Sequence, residues 1–172
     1  VIHNAAKEPE VEDLQNFINS MGGKVAGAGS SVITVDGVKK LHGTEYKPLF
    51  DRIEAGTYLV AAAATGGSVE ISNCNPEKIS ALLHKLCDNT CKITLNNDII
   101  YLKSGSIRKS FNIETLPYPG FPTDMQAQMV ALAAVSSGIS VIRENIFETR
   151  FRHVRELNRM GANIVVKDRV AI

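Results

Sequence analysis

The amino-acid sequence predicts an α/β protein built from a repeated unit. Three observations carry that prediction: short β-branched runs alternate with helical patterns, Asn, Asp and Gly stand between paired runs as hairpin signals, and one strand, helix, hairpin order recurs along the chain. The first copy opens with a strand at Val1-Ile2 and a helix carrying Val11, Leu14, Ile18 and Met21. Its hairpin runs from Lys24-Val25 to Val32-Ile33-Thr34-Val35. The run Gly27-Ala28-Gly29-Ser30 lacks the following lysine and helix that a phosphate loop needs, so it reads as the bend of that hairpin.

The second copy has a strand at Val69-Glu70-Ile71 and a helix carrying Ile79, Leu82, Leu83 and Leu86. Its hairpin goes from Ile93-Thr94-Leu95 through Asn96-Asn97-Asp98 to Ile99-Ile100-Tyr101-Leu102. The third repeats the order with Val141-Ile142, a helix ending near Leu157 and Met160-Gly161, and Ile164-Val165-Val166 turning at Lys167-Asp168 into Val170. Gly22 and Gly161 stand just past their helices, where a left-handed residue ends a helix with little strain; Asn89-Thr90 is a weaker stop in the second copy.

A further helix precedes the strand in the second and third copies. Asp51 with Glu54 and Thr123 with Gln126 read as capping boxes, and Gly66 and Gly138 as the matching stops at a common offset. Both helices are rich in alanine (Ala61 to Ala64; Ala131, Ala133, Ala134), which suits close packing at the centre of a domain. The full unit is therefore βαβαββ, with one strand upstream of each first helix. Leu41 to Pro48 breaks both helix and strand and is the best boundary, giving residues 1–46 to one domain and 47–172 to another.

With 44% hydrophobic and 22% charged residues in 172, the chain is long and apolar enough for a real core. A formal net charge of +1 provides no overall footprint for nucleic acid or an anionic membrane. No apolar run reaches the roughly 18 residues that span a bilayer, so membrane insertion is not expected. Cys74, Cys87 and Cys91 are odd in number and form no Cys-x-x-Cys pair, which fits a reducing cytoplasm and buried or inert thiols. Cys87 and Cys91, four apart, share a face if one helix carries both. No Ser-His-Asp set, Walker loop, metal-ligand pattern or cofactor motif is visible, and neither a metal nor a cofactor is expected. The strand-like first and last residues suggest a segment of something longer.

Two residues stand out chemically. Asp124 follows the cap Thr123 and the loop Pro119-Gly120-Phe121-Pro122, so it is either a favourable first-turn acid or a carboxylate at a donor-rich helix start. Arg150 falls on the apolar face of a helix if that helix begins at Phe147, where a guanidinium needs a partner; if it begins near His153, Arg150 is a loop residue beside its N-terminus. Arg152, Arg155 and Arg159 read as a solvated stripe.

Ile2 to Pro9, Gly43-Thr44-Glu45-Tyr46 followed by Asp51 to Thr57, Phe121 to Gln128 (F-P-T-D-M-Q-A-Q) and Glu144 to Phe151 together resemble the UDP-N-acetylglucosamine enolpyruvyl transferase family, in order over nearly the whole chain. The resemblance implies an inside-out α/β barrel of six repeats in two domains, with residues 1–46 from the last repeat of one and residues 47–172 forming the first two repeats of the other. It implies transfer of enolpyruvyl from phosphoenolpyruvate to the 3-hydroxyl of UDP-N-acetylglucosamine, a step toward peptidoglycan. By motif, Asp124 matches the aspartate at the sugar hydroxyl, Ile146 a backbone contact to the UDP-sugar, and Arg150 a basic residue facing phosphoenolpyruvate. Thr149 departs from the asparagine common there. The family's mobile cysteine loop, N-terminal lysine and other arginines match nothing in these 172 residues, so the chain by itself is expected to be inactive. Two alternatives stay open: the sister family that acts on shikimate phosphate, and a stand-alone βαβαββ binding module.

Overall fold

In the computed structural model, which describes residues Val1–Ile172, helices and strands alternate and the strands form three separate sheets. The chain divides into two units: Val1–Phe50 with Pro117–Pro119, and Asp51–Leu116 with Gly120–Ile172.

In the first unit, β1 (Ile2–His3) leads to α1 (Pro9–Ser20) and the hairpin of β2 (Lys24–Ala26) and β3 (Val32–Asp36). Pro9 suits a helix start because its missing N–H has no partner there anyway. The antiparallel sheet has the order β1-β3-β2, with Ile2 opposite Ile33 and Val25 opposite Val35. Gly27, at φ +93°, makes the expected bend; a Cβ there would lie 2.2 Å from the Val32 carbonyl oxygen. The segment after β3 is tied to α1: Asp13 Oδ1 accepts from the Tyr46 hydroxyl (2.8 Å) and the Leu49 N–H (3.0 Å), and the rings of Phe17 and Tyr46 lie 5.1 Å apart.

The second unit begins with α2 (Arg52–Thr65), β4 (Ser68–Ile71), a 3-10 turn (Pro76–Ile79), α3 (Ser80–Asp88), β5 (Lys92–Asn96) and β6 (Ile99–Lys103). Asp51 caps α2 as expected, accepting from the N–H groups of Ile53 and Glu54, and Gly66 ends it at φ +77°. The unit continues through β7 (Asn112–Glu114), a 3-10 turn (Thr123–Met125), α4 (Gln126–Ala134), β8 (Val141–Arg143), α5 (Val154–Arg159), β9 (Val166–Lys167) and β10 (Val170–Ala171). Its sheets have the orders β4-β6-β5 and β7-β8-β10-β9, antiparallel except for the parallel pair β7 and β8. Each of the three sheets thus places the last strand of a hairpin between the strand that precedes the helix and the other hairpin strand.

Helix α2 is apolar on most sides because it is enclosed: Leu59 and Ala63 are fully buried, Leu82 and Leu86 of α3 pack nearby, and Met129 and Leu132 of α4 are fully buried too. Gly56 lets these elements approach. A Cβ there would meet Leu82 Cδ2 at 2.7 Å and Met125 Sδ at 2.9 Å.

Four local expectations need correction. Thr123 does not cap α4: it sits inside the 3-10 turn, its hydroxyl is used elsewhere, and the fully buried Gln126 amide has no protein partner. Helix α4 ends at Ala134 with Val135 as its cap, so Gly138, at φ +105°, belongs to the following loop. The strand expected upstream of each first helix exists only as β7; Leu41 to Phe50, ahead of α2, is without strand. Cys91 lies beyond the end of α3 and shares no helix face with Cys87.

Three of the helix stops, those of α1, α3 and α5, follow one pattern. Gly22 and Gly161 sit one residue past the caps at φ +87° and +97°. Thr90 takes the equivalent place at φ +77°, with its N–H bonded to Cys87 O and that of Cys91 to Leu86 O. A β-branched residue is strained there, and its hydroxyl is tied to the Ile107 carbonyl. Asn19 clamps both backbone groups of Val25 (2.8 Å each), and Asn158 does the same for Ile164 (2.8 and 3.1 Å).

Candidate active site

The parallel strands β7 and β8 end side by side, and each is followed at once by a polar residue, Thr115 and Glu144. Carboxyl ends of parallel strands are where α/β sheets gather ligands. The Thr115 N–H continues the ladder by donating to Arg143 O (3.0 Å), and the Glu144 N–H donates to Arg169 O (2.8 Å). Both side chains are fully buried.

A buried carboxylate is tolerated only when donors surround it. Glu144 has four. Its Oε1 accepts from the Thr115 hydroxyl (2.8 Å) and from the backbone N–H groups of Ile146 (2.9 Å) and Phe147 (3.1 Å), while Oε2 accepts from the Thr123 hydroxyl (2.8 Å). The carboxylate therefore folds the loop after β8 back on itself and ties it to the turn before α4. Asn145 adds two ties to the end of β7: its N–H donates to Thr115 Oγ1 (2.9 Å) and its amide to Glu114 Oε1 (2.7 Å).

Thr123 passes this order outward. Its hydroxyl, donating to Glu144, accepts from Arg150 Nη1 at 3.0 Å. Arg150 Nη2 reaches Asp124 Oδ1 at 2.6 Å, and the guanidinium lies 4.9 Å from the centre of the Phe147 ring. Helix α5 starts only after His153, so Arg150 is the loop residue of the second alternative, and the apolar-face argument does not apply. The three residues singled out in the sequence thus meet in one place. Asp124 and Arg150 pair at its surface, with side chains 58% and 35% exposed, and Ile146 contributes its backbone.

The hub, Glu144, was not assigned a role from the sequence. Its signal was present but unreadable: a lone acid after a β-branched run looks like any solvent-facing residue until its burial is seen.

An open cavity of about 760 Å³ adjoins Arg150, lined among others by Phe151, Val154, Ile164 and Val166. Arg152, Arg155 and Arg159 are exposed at its border, as a solvated stripe should be. His153 is half-buried; burial pushes its pKa below the ordinary value, a backbone hydrogen bond at Arg150 opposes this, and the charge of Arg150 adds to it. The cysteines take no part in the network. Cys74 and Cys91 are buried and Cys87 is exposed, and burial pushes the Cys74 thiol up to about 11 and raises the other two.

No helix is long and apolar enough to cross a membrane. The chain is 50% identical over 173 residues to a UDP-N-acetylglucosamine 1-carboxyvinyltransferase 2 of Caldanaerobacter subterraneus, and 51% identical over 172 residues to the UDP-N-acetylglucosamine 1-carboxyvinyltransferase of Thermotoga maritima. Both matches cover 100% of this chain but only 42% and 41% of the relatives, so the chain spans about two fifths of their length. The crystal structure of the enolpyruvyl transferase NikO from Streptomyces tendae superposes with a TM-score of 0.83 at 20% identity, over 98% of this chain and 41% of that one, which is a likeness of fold. The model of one protein family matches residues 1–172, and on that match the chain belongs to the EPSP synthase (3-phosphoshikimate 1-carboxyvinyltransferase) family.

Proposed function

We propose that this chain carries part of the active site of an enolpyruvyl transferase that moves the enolpyruvyl group of phosphoenolpyruvate onto the 3-hydroxyl of UDP-N-acetylglucosamine, on the way to peptidoglycan in the cytoplasm. The observation that carries the reading is the meeting of Asp124 and Arg150 at 2.6 Å on two loops at the ends of parallel strands. The names of relatives at about half identity support the choice of sugar nucleotide.

The chemistry divides between the two side chains. Asp124 orients the sugar hydroxyl and takes its proton as the oxygen bonds to C2 of phosphoenolpyruvate and the double-bond electrons take up a proton at C3. Arg150 offsets the negative charge of the phosphate and carboxylate while C3 gives up a proton, the double bond re-forms, and the bond from C2 to the phosphate oxygen breaks, phosphate leaving with that electron pair. The N–H of Ile146 is already bonded to Glu144, so its carbonyl is the group left to meet the UDP-sugar. Asp124 and Arg150 satisfy each other. A pair this exposed contributes only about 0–1 kcal/mol, so an anionic substrate can replace Asp124 on the guanidinium at little cost.

The same reading gives residues 1–46 to the last repeat of one domain and 47–172 to the first two repeats of another, in an inside-out barrel of βαβαββ units. The common strand order of the three sheets and the likeness to NikO support it. A second reading, transfer to shikimate phosphate, draws on the name of the family model. Binding of shikimate phosphate but not UDP-sugar by the full-length protein would select it.

The deciding experiment is Asp124→Asn in the full-length protein. It keeps size and position and removes the basic carboxylate, so kcat should fall by at least about 100-fold, while loss of one exposed ion pair costs at most about 1 kcal/mol of stability. Steady-state kinetics and thermal unfolding on one preparation check this. Near-normal kcat would return Asp124 to a plain first-turn acid.

A further inference from the structure

Glu144 is the buried residue that ties the loop after β8 to the turn before α4, yet it bonds neither Asp124 nor the Arg150 guanidinium directly. Its Oε1 fixes the backbone at Ile146 and Phe147, and its Oε2 receives the Thr123 hydroxyl. That last bond has a directional consequence. A hydroxyl has one proton, and by giving it to Glu144 Oε2 Thr123 is left able only to accept, which is what Arg150 Nη1 requires. The second donor of the same guanidinium then points at Asp124. A donating group facing Thr123 in place of the carboxylate oxygen would turn the Thr123 proton toward Arg150 and set donor against donor.

We propose that Glu144, acting through the Thr123 hydroxyl, is a positioning residue that holds Arg150 in its working direction toward Asp124. The inference rests on the transfer site proposed above for its catalytic meaning, though not for its structural test. Its burial fits the role: a fully buried carboxylate with four donors is rigid, whereas Arg150 and Asp124 stand at the surface and need an internal reference to be aimed.

The test compares Thr123→Val, which keeps the shape and removes the hydroxyl, Thr123→Ser, which restores it, and Glu144→Gln, whose amide places a donor against existing donors in either orientation. In the 172-residue chain, nitrogen-edited NMR reads rotation of the Arg150 guanidinium, which is slow when Nη1 and Nη2 hold separate acceptors. Rotation should quicken about fivefold or more in Thr123→Val and Glu144→Gln, the effect of one lost hydrogen bond, and return to the parent rate in Thr123→Ser, with the remaining amide spectrum unchanged. Should Thr123→Val not fold, Glu144→Gln carries the comparison. Unchanged rotation in Glu144→Gln, or failure of serine to rescue, overturns the proposal.

In the full-length protein the same variants separate kcat from KM. Thr123→Val should lower kcat about tenfold or more with a small change in KM for the UDP-sugar, and Thr123→Ser should recover it. A structural role alone would not produce that split. If the unmodified full-length protein transfers no enolpyruvyl group at all, the functional reading fails, and the NMR comparison still decides the role of Glu144.

Discussion

His153 stands just before α5, three residues after Arg150, half-buried, with its Nε2 buried and unpartnered. Burial, opposed by a backbone hydrogen bond at Arg150 and helped by the charge of that guanidinium, holds its folded pKa below 6.5, while the unfolded chain keeps about 6.5. The unfolded state therefore binds the extra proton first as pH falls. The neutral imidazole contributes stability that is complete above about pH 6.5 and is lost as pH falls through the lower folded value. Urea midpoints measured from about pH 7.5 down to about pH 5 should decline more steeply for the unmodified chain than for His153→Gln. Parallel declines would remove His153 as the cause. At this same scale the sequence was informative about Asp124, Ile146 and Arg150 because a motif named them. It was silent about Glu144, since burial and donor count are properties of a neighbourhood and not of a residue type.

Among the elements, α2 shows how composition and packing combine. Its alanines predicted a closely packed helix, and Gly56 shows how close: the space for a methyl group is taken by Leu82 and Met125. Gly56→Ala should gain about 1 kcal/mol of helix propensity and lose about 1–3 kcal/mol to overpacking, because both neighbours are themselves buried at 2% and 1% exposure. The expected outcome is a lower denaturation midpoint. A raised midpoint would mean that Leu82 and Met125 yield without cost. The cap at Asp51 and the stops at Gly22, Gly66 and Gly161 were readable in sequence because capping depends on a few adjacent residues. The Thr123 box looked equally good locally. It failed because the Thr123 hydroxyl gives its proton to the buried Glu144 carboxylate and accepts from the Arg150 guanidinium, a charged donor that takes the place of a backbone N–H at the helix start.

For the whole molecule, the relevant fact is that the chain spans about two fifths of the relatives it matches. Asp124 and Arg150 supply one acid and one cation, while an enolpyruvyl transfer must also hold the remaining charge of phosphoenolpyruvate and exclude water from the reacting carbon. The isolated chain should therefore release no phosphate from phosphoenolpyruvate and UDP-N-acetylglucosamine above the no-protein rate. A coupled phosphate assay on a preparation free of host enzyme checks this, and turnover that follows the chain through purification would show that these residues suffice.

The α/β class, the recurring strand, helix, hairpin order, the hairpin bends, most helix stops and the family are legible along the chain alone. All of these depend on periodicity, on local backbone preference or on motifs read along the chain. Three-dimensional packing was needed to show that β7 pairs in parallel with β8, that α5 begins beyond Arg150, and that Thr123 joins Glu144 to Arg150 instead of capping its helix. The reason is physical: a buried charge selects its partners from whatever the fold brings within hydrogen-bond reach, and that selection crosses from β8 to the turn before α4, a distance no local pattern in the sequence can span.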